Sequence, residues 1–230
     1  MPCFLAISGY SGSGKTTFGS FLVKKLSESG YKVGVVKSCK ESEIFTDLPN
    51  KDTWVYREQG ASGVVLFQEN LFTLYLDPPK NNLTSPKDWH GYFLSIFWEY
   101  DLVLFEGFKK VDFLSKLWVI KDKDEDLRSV KKEIKNLLGF VVKENVEWWK
   151  KSFPEETFFS LEKEEEILNF LKGFIEQKKE KVMLRVNGKK VPLKDFVKDI
   201  LAYPVLGFVK ALKGVPEEIL EIEVKIKNQS

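Results

Sequence analysis

The nine residues from Gly9 to Thr17 read GYSGSGKTT. Gly9, Gly14, Lys15 and Thr16 fit the spacing G-x-x-x-x-G-K-[ST], between an apolar run, CFLAIS, and a stretch of helical period, FGSFLVKKL. The chemistry of that pattern is phosphate binding. Glycines let backbone N–H groups curl around phosphate oxygens at the start of a helix, where unpaired amides and the helix dipole favour negative charge. Tyr10, Ser11, Gly12, Ser13 and Thr17 complete the cradle. Lys15 is expected to reach the β and γ phosphates, and the Thr16 hydroxyl to coordinate Mg²⁺.

A magnesium-bound nucleotide also needs an acidic neighbour, and DLVLFEG offers Asp101 and Glu106. Ligands of open α/β sheets sit beyond the carboxyl ends of the strands, and Asp101 lies roughly 16 Å back along such a strand. Glu106 is therefore the metal or water partner if this strand runs parallel to the first, and Asp101 opens the strand at the far edge. Gly107 turns the chain and leaves Phe108 and Lys109 beside the nucleotide. A long polar loop, SCKESEIFTDLPNKDTW, follows the second strand at the same edge; Lys37 at its entrance and Asp52 at the N-cap of the next helix are its candidates. His90 is the only histidine, which excludes a multi-histidine metal site. Trp54 and Trp148-Trp149 read as packing, and the acidic run at Glu162 to Glu166 as a favourable first helical turn.

The elements that must position these residues follow from period. Strand-like runs occur at Cys3 to Ser8, Lys32 to Lys37, Gly63 to Gln68, Leu71 to Leu76, Asp101 to Glu106, Leu117 to Lys121 and Gly139 to Lys143. Helical spacing covers Lys15 to Ser29, a segment opened by Ser85-Pro86, Asp124 to Leu138 and Glu162 to Ile175. Alternating strands and helices, with first strands that lack a polar face, predict an α/β fold: a P-loop NTPase-like, mainly parallel sheet with helices on both faces. The 63–68 and 71–76 runs are close enough for a hairpin.

After QKKEK the pattern changes. Val182 to Val186 and Lys190 to Leu193 flank Asn187-Gly188, a hairpin signal; an apolar segment, Phe196 to Leu212, is broken at Tyr203-Pro204; Ile219 to Ile226 reads as a strand. The expected division is a nucleotide-binding domain over 1–178 and a small α+β appendage over 179–230.

Lysine and arginine number 36 and aspartate and glutamate 34, a net charge of +2, so no global field recruits nucleic acid or a membrane. The start of the chain lacks the basic region of a signal peptide, and no apolar run approaches ~18 residues, which gives a cytoplasmic reading. Cys3 and Cys39 have no metal-ligand spacing.

GYSGSGKTT, VVK at Val35 to Lys37, KDTWVYREQGA at Lys51 to Ala61 and DLVLFEGFK at Asp101 to Lys109 together resemble the molybdopterin-guanine dinucleotide biosynthesis adapter family, MobB. The likeness spans roughly residues 3 to 175, and VNGKKVPLKDFV and VLGFVKALKGV are similar to the C-terminal extension of some members. It implies a homodimeric GTP-binding protein with Mg²⁺ as cofactor. It further implies weak GTP hydrolysis, the molybdenum cofactor guanylyltransferase as partner, and molybdopterin as a further candidate ligand. By position it carries over Gly9, Gly12, Gly14, Lys15, Thr16 and Thr17 as the phosphate loop, Glu106 to Lys109 as the second signature, and Lys37 and Asp52. Members commonly have histidines after the Lys37 position, where this chain has Ser38 and Cys39. The guanine-reading motif N-K-x-D is absent, because Asn50-Lys51-Asp52-Thr53 places its aspartate one residue early, so GTP over ATP follows from the resemblance alone. The alternative is a small-molecule kinase that transfers the γ-phosphoryl group of ATP, a chemistry that gathers arginines, of which this chain has only Arg57, Arg128 and Arg185. A third reading makes the tail a dimerisation or docking module.

Overall fold

The computed structural model describes residues 2–39, 47–77, 86–178, 182, 184–186, 189–191, 193–216, 219, 222, 224 and 226. Two compact units divide between Lys178 and Lys179.

In the larger unit, β1 (Cys3–Ser8), β2 (Val33–Lys37), β5 (Leu102–Glu106), β6 (Ser115–Val119), β7 (Leu137–Val142) and β8 (Phe158–Ser160) form one sheet in the order β2-β5-β1-β6-β7-β8. Every pairing in it is parallel. This is the mainly parallel α/β sheet the sequence predicts. Its central strands are apolar on both faces because helices cover both. Leu5, Ile7, Leu104, Leu117 and Val119 point to the side of α1 (Lys15–Glu28) and α6 (Glu164–Lys178), where they meet Phe18, Leu22, Leu26, Ile167 and Leu171. Trp118, Phe140 and Val142 point the other way, onto α4 (Leu127–Glu133) and α5 (Val146–Ser152). Each fully buried large apolar side chain contributes about 1.5–3 kcal/mol through the area it removes from water. His90, on α3 (Pro86–Ile96), packs its ring between Phe4 and Phe113. Residues 78–85, and with them the expected Ser85 cap, lie outside the described residues.

Several boundaries differ from the sequence reading. The helix expected over 124–138 is only Leu127–Glu133, because the Asp126 carboxylate accepts from the N–H groups of Arg128 and Ser129 and fixes the start, while Ile134 leaves the helical region and Asn136 adopts φ 56°. Leu137 and Leu138 then belong to β7, which ends at Val142 rather than Lys143. β6 lies two residues earlier than expected, in register with β1 at Leu5 and Ser115. Neither α5 nor β8 was legible from period, each being too short for it. α2 (Asp52–Glu58) has Lys51, not Asp52, at its N-cap. Asp52 is its first helical residue, and the carboxylate that secures the helix is the buried Asp47, which accepts from the Thr53 hydroxyl at 2.9 Å and pairs with Arg57.

β3 (Gly63–Phe67) and β4 (Phe72–Leu76) make the expected hairpin, but as a two-stranded sheet of their own. α2 packs on β3, and the Arg57 guanidinium lies over the Tyr75 ring. The face opposite Tyr75 carries the cross-strand pairs Val65–Leu74 and Phe67–Phe72 together with Leu76, all exposed.

In the smaller unit, β9 (Leu184–Val186) and β10 (Lys189–Val191) pair antiparallel, with the Asn187-Gly188 turn outside the described residues. α7 (Asp195–Lys210) runs through Pro204 without the expected break. Proline's fixed φ suits a helix, so the helix continues at the cost of one backbone hydrogen bond and of crowding between the ring and the carbonyl one turn back, about 3 kcal/mol. The strand expected over 219–226 is not assigned at its described residues, 219, 222, 224 and 226.

Candidate nucleotide-binding site

The phosphate loop leaves β1 at its carboxyl end and enters α1 through Gly14. Three of its residues need to be glycine. Gly9, Gly12 and Gly14 have φ of 153°, 75° and 96°, and a Cβ on Gly9 would stand 2.6 Å from the Val119 carbonyl oxygen and 2.7 Å from Ser13 Oγ. Ser13 is buried within the turn, and its Oγ has no hydrogen-bond partner among the described residues. Tyr10 lies edge-on to Trp118 with ring centroids 5.3 Å apart, and the Lys109 ammonium is 5.6 Å from its centroid. Ser11, Gly12, Thr16 and Thr17 are exposed along the cradle.

β5 is parallel to β1 with Ile7 opposite Glu106, which meets the condition under which Glu106, and not Asp101, belongs to the site. Asp101 accepts from the Lys32 N–H at the far edge. The Thr16 hydroxyl donates to Glu106 Oε1 at 2.8 Å, and the Lys37 ammonium reaches the same oxygen at 3.2 Å. The two signatures are also stapled through the backbone. The Ser8 hydroxyl donates to the Gly107 carbonyl at 2.6 Å, and the Gly107 N–H donates to the Ile7 carbonyl at 2.9 Å. Gly107 and Phe108 both take positive φ, 101° and 47°, which turns Lys109 back towards Tyr10.

Lys15 donates to the Tyr10 carbonyl at 2.6 Å. Burial pushes its ammonium below the ordinary lysine value; Glu106 pulls it back up, and the neighbouring Lys37 and Lys109 push it down. A cluster of cations around one carboxylate, with glycine-lined amides and an unsatisfied buried hydroxyl, fits a polyphosphate. Magnesium takes a few hard oxygen ligands alongside substrate phosphates, and Thr16 and Glu106 supply that chemistry. Among the described residues no group of three or more His, Cys, Asp or Glu could hold a metal ion.

Lys15, Thr16, Lys37, Glu106, Gly107 and Lys109 thus come together around the loop. Asp52 does not join them: no hydrogen bond or ion pair links it to the loop among the described residues. Two residues escaped the sequence reading. Lys143 follows β7, with its Cε 3.5 Å from where a Cβ on Gly14 would stand; its place at the carboxyl end of a strand was the available signal. Lys116 lies buried at the start of β6, and its ammonium donates to the carbonyls of Val111, Leu114 and Lys135 at 2.6, 2.8 and 2.9 Å. It thereby ties down the far end of the loop that begins with Gly107.

A family model described as MobB, molybdopterin guanine dinucleotide synthesis protein B, matches residues 4–143. The chain belongs to the MobB family. Its relatives include the molybdopterin-guanine dinucleotide biosynthesis adapter proteins of Haemophilus influenzae, 35% identical over 107 residues, and of Escherichia coli, 27% identical over 124 residues. These matches span 46% and 51% of this chain, and 57% and 65% of the relatives. The MobB fold is seen again in a crystal structure of molybdopterin-guanine biosynthesis protein B, with TM-score 0.55, 25% identity and coverage of 75% of this chain and 99% of that one. The crystal structure of Bacillus subtilis MobB superposes with TM-score 0.53 at 22% identity, over 75% of this chain and 97% of its own. The segment matched by the MobB model contains every candidate site residue from Gly9 to Lys109. No helix among the described residues is long and apolar enough to cross a membrane.

Proposed function

We propose that this chain is a GTP-binding adapter in molybdopterin-guanine dinucleotide biosynthesis, which binds Mg·GTP at the phosphate loop and assists the molybdenum cofactor guanylyltransferase in the cytoplasm. The observation that carries this reading is the joining of the two family signatures at one point, the Thr16 hydroxyl on Glu106, inside the segment that matches the family. Lys15 binds the β and γ phosphates, Thr16 and Glu106 hold Mg²⁺, and the backbone of Gly9 to Gly14 with Thr17 cradles the rest. Lys37, Gly107 and Lys109 surround the terminal phosphate. Hydrolysis is slow because no arginine among the described contacts joins the loop; Arg57 is engaged by Asp47 and Tyr75. The same observation weighs against γ-phosphoryl transfer to a small molecule. Affinity purification of the chain from its source cell, with GTP and Mg²⁺ present, is expected to recover a guanylyltransferase. Recovery of a metabolite-kinase complex, or of no nucleotidyltransferase at all, would overturn the adapter role.

The adapter is further proposed to act as a homodimer, with the open face of the β3–β4 hairpin as the contact. Phe67 and Phe72, 70% and 67% exposed, stand side by side there with ring centroids 4.7 Å apart, at the turn end of the ladder beside the Val65–Leu74 pair. One apolar face packed on its own copy would bury what is otherwise a costly surface. The double substitution Phe67→Asp, Phe72→Asp is expected to yield a folded monomer in sedimentation equilibrium; a persistent dimer would move the contact elsewhere.

A further inference from the structure

The smaller unit leaves one side of its helix bare. Phe196, Ile200, Tyr203 and Phe208 on α7, with Leu212 just beyond it, are 48% to 69% exposed, and their spacing sets them in a row along one side. Leu201, Ala202, Leu206 and Val209, on the other side, are half-buried. Within the row Gly207 leaves a gap, since a Cβ there would meet nothing within 4 Å. Asp199 and Lys210 border the row on one and the same flank, about three turns apart; both are exposed, and neither has an ion-pair partner among the described residues. A copy of this helix laid antiparallel, with its Lys210 level with Asp199, also brings its Asp199 level with Lys210, because a two-fold axis across the pair keeps each flank on its own side. The same register sets Tyr203 level with the partner's Gly207, Ile200 with the partner's Phe208 and Phe196 with the partner's Leu212, each to within one residue's rise, about 1.5 Å. A ring faces a gap, apolar side chains face one another, and unlike charges meet at both ends. A parallel copy would set each charge against the other's apolar flank instead. The row is thus complementary to itself in size and in charge, as an isologous contact requires, and an unrelated partner surface would call for neither match.

We propose that α7 pairs antiparallel with α7 of a second copy of this chain, with Asp199 against the partner's Lys210 and Tyr203 over the partner's Gly207. This rests on the homodimer proposed above. A contact between two helices is weak when the chains are free. Each α7, however, is tied by its own chain to a larger unit that is already paired, so its pairing becomes intramolecular, at an effective concentration on the order of millimolar. The contact is an addition to the MobB fold: the family model ends at residue 143, and 75% of this chain covers 99% of the MobB crystal structure to which it is 25% identical.

Sedimentation equilibrium of the full chain tests this through the dissociation constant of the dimer. Asp199→Lys and Lys210→Asp should each weaken the dimer about tenfold, since each sets like charges together at both ends of the contact. The double variant Asp199→Lys, Lys210→Asp should return to within about threefold of wild type, and so should an equimolar mixture of the two single variants, whose unlike chains match. Gly207→Leu, which adds bulk where the single chain has open space, should also loosen the dimer about tenfold. In the Phe67→Asp, Phe72→Asp background, where the larger units no longer pair, the same change should leave the melting temperature of the monomer undiminished. Charge reversals that do not move the constant, or a loss that the double variant and the mixture fail to restore, would overturn the α7 pairing, while dissociation by Phe67→Asp, Phe72→Asp still upheld the hairpin contact. Single variants that melt earlier without a change in association would overturn it too, and would assign the row to the larger unit of the same chain. A wild-type chain that stays monomeric at every concentration would overturn both contacts.

Discussion

Lys15→Ala is expected to lower Mg·GTP affinity by about two orders of magnitude, the cost of removing a charge-assisted contact to a polyphosphate from a partly desolvated site. The fold should survive. Among the described residues the Lys15 side chain donates to the Tyr10 carbonyl in the loop itself, and removing such a bond costs about 1 kcal/mol. Titration calorimetry of the wild type and the variant, with thermal melts in parallel, separates the two effects; an affinity within about threefold of wild type would remove Lys15 from the phosphate site. The reading also fixes a pH dependence. Burial holds the Lys15 ammonium below the ordinary lysine value in the free chain, and a bound polyphosphate would hold the proton on. Binding above the free-site value therefore takes up a proton, so GTP affinity falls as pH rises through that value. The Lys15→Ala variant should lack the fall.

The second large effect is on stability. Lys116→Met keeps length and apolar volume but leaves three carbonyls, those of Val111, Leu114 and Lys135, without their donor. At roughly 1 kcal/mol or more for each hydrogen bond lost from the ammonium, the expected loss is about 3 kcal/mol. For a domain of this size that lowers the melting temperature by about 6–12 °C. Nucleotide affinity should drop as well, because the loop between Gly107 and Leu114 is held at one end by the β1 staple and at the other by this ammonium. A melting temperature within about 2 °C of wild type would show that water replaces the donor at no cost. Burial also pushes the Lys116 ammonium below the ordinary lysine value. The folded chain thus releases that proton at lower pH than the unfolded chain, and between the two values wild-type stability rises with pH; the methionine variant should lack this slope.

How much of this was legible depended on whether one residue type or one period carried the information. The phosphate loop declared itself because φ values of 75° and 96° at Gly12 and Gly14 and a Cβ-free Gly9 admit few other residues. Glu106 could be chosen over Asp101 by strand direction alone, and the parallel pairing of β1 and β5 met that condition. Helix ends set by side chains were harder. Asp126 fixes α4 from outside its apolar period, and Asp47, five residues upstream of Asp52, holds α2 through Thr53. α5 and β8 are shorter than the window in which period can be seen. Lys116 and Lys143 were passed over for a different reason. A lysine in a sequence reads as a solvated surface group, and only the strand register places the first among three carbonyls and the second against Gly14.

The site's lysines have a consequence for encounter. Lys15, Lys37 and Lys109 stand with one carboxylate, Glu106, an excess of two positive charges in a chain whose total is +2. The remainder of the molecule is thus formally neutral, and the attraction felt by an approaching triphosphate comes from this one cluster. Its range is the Debye length, about 8 Å at physiological ionic strength, so added salt should slow nucleotide capture much more than it speeds release.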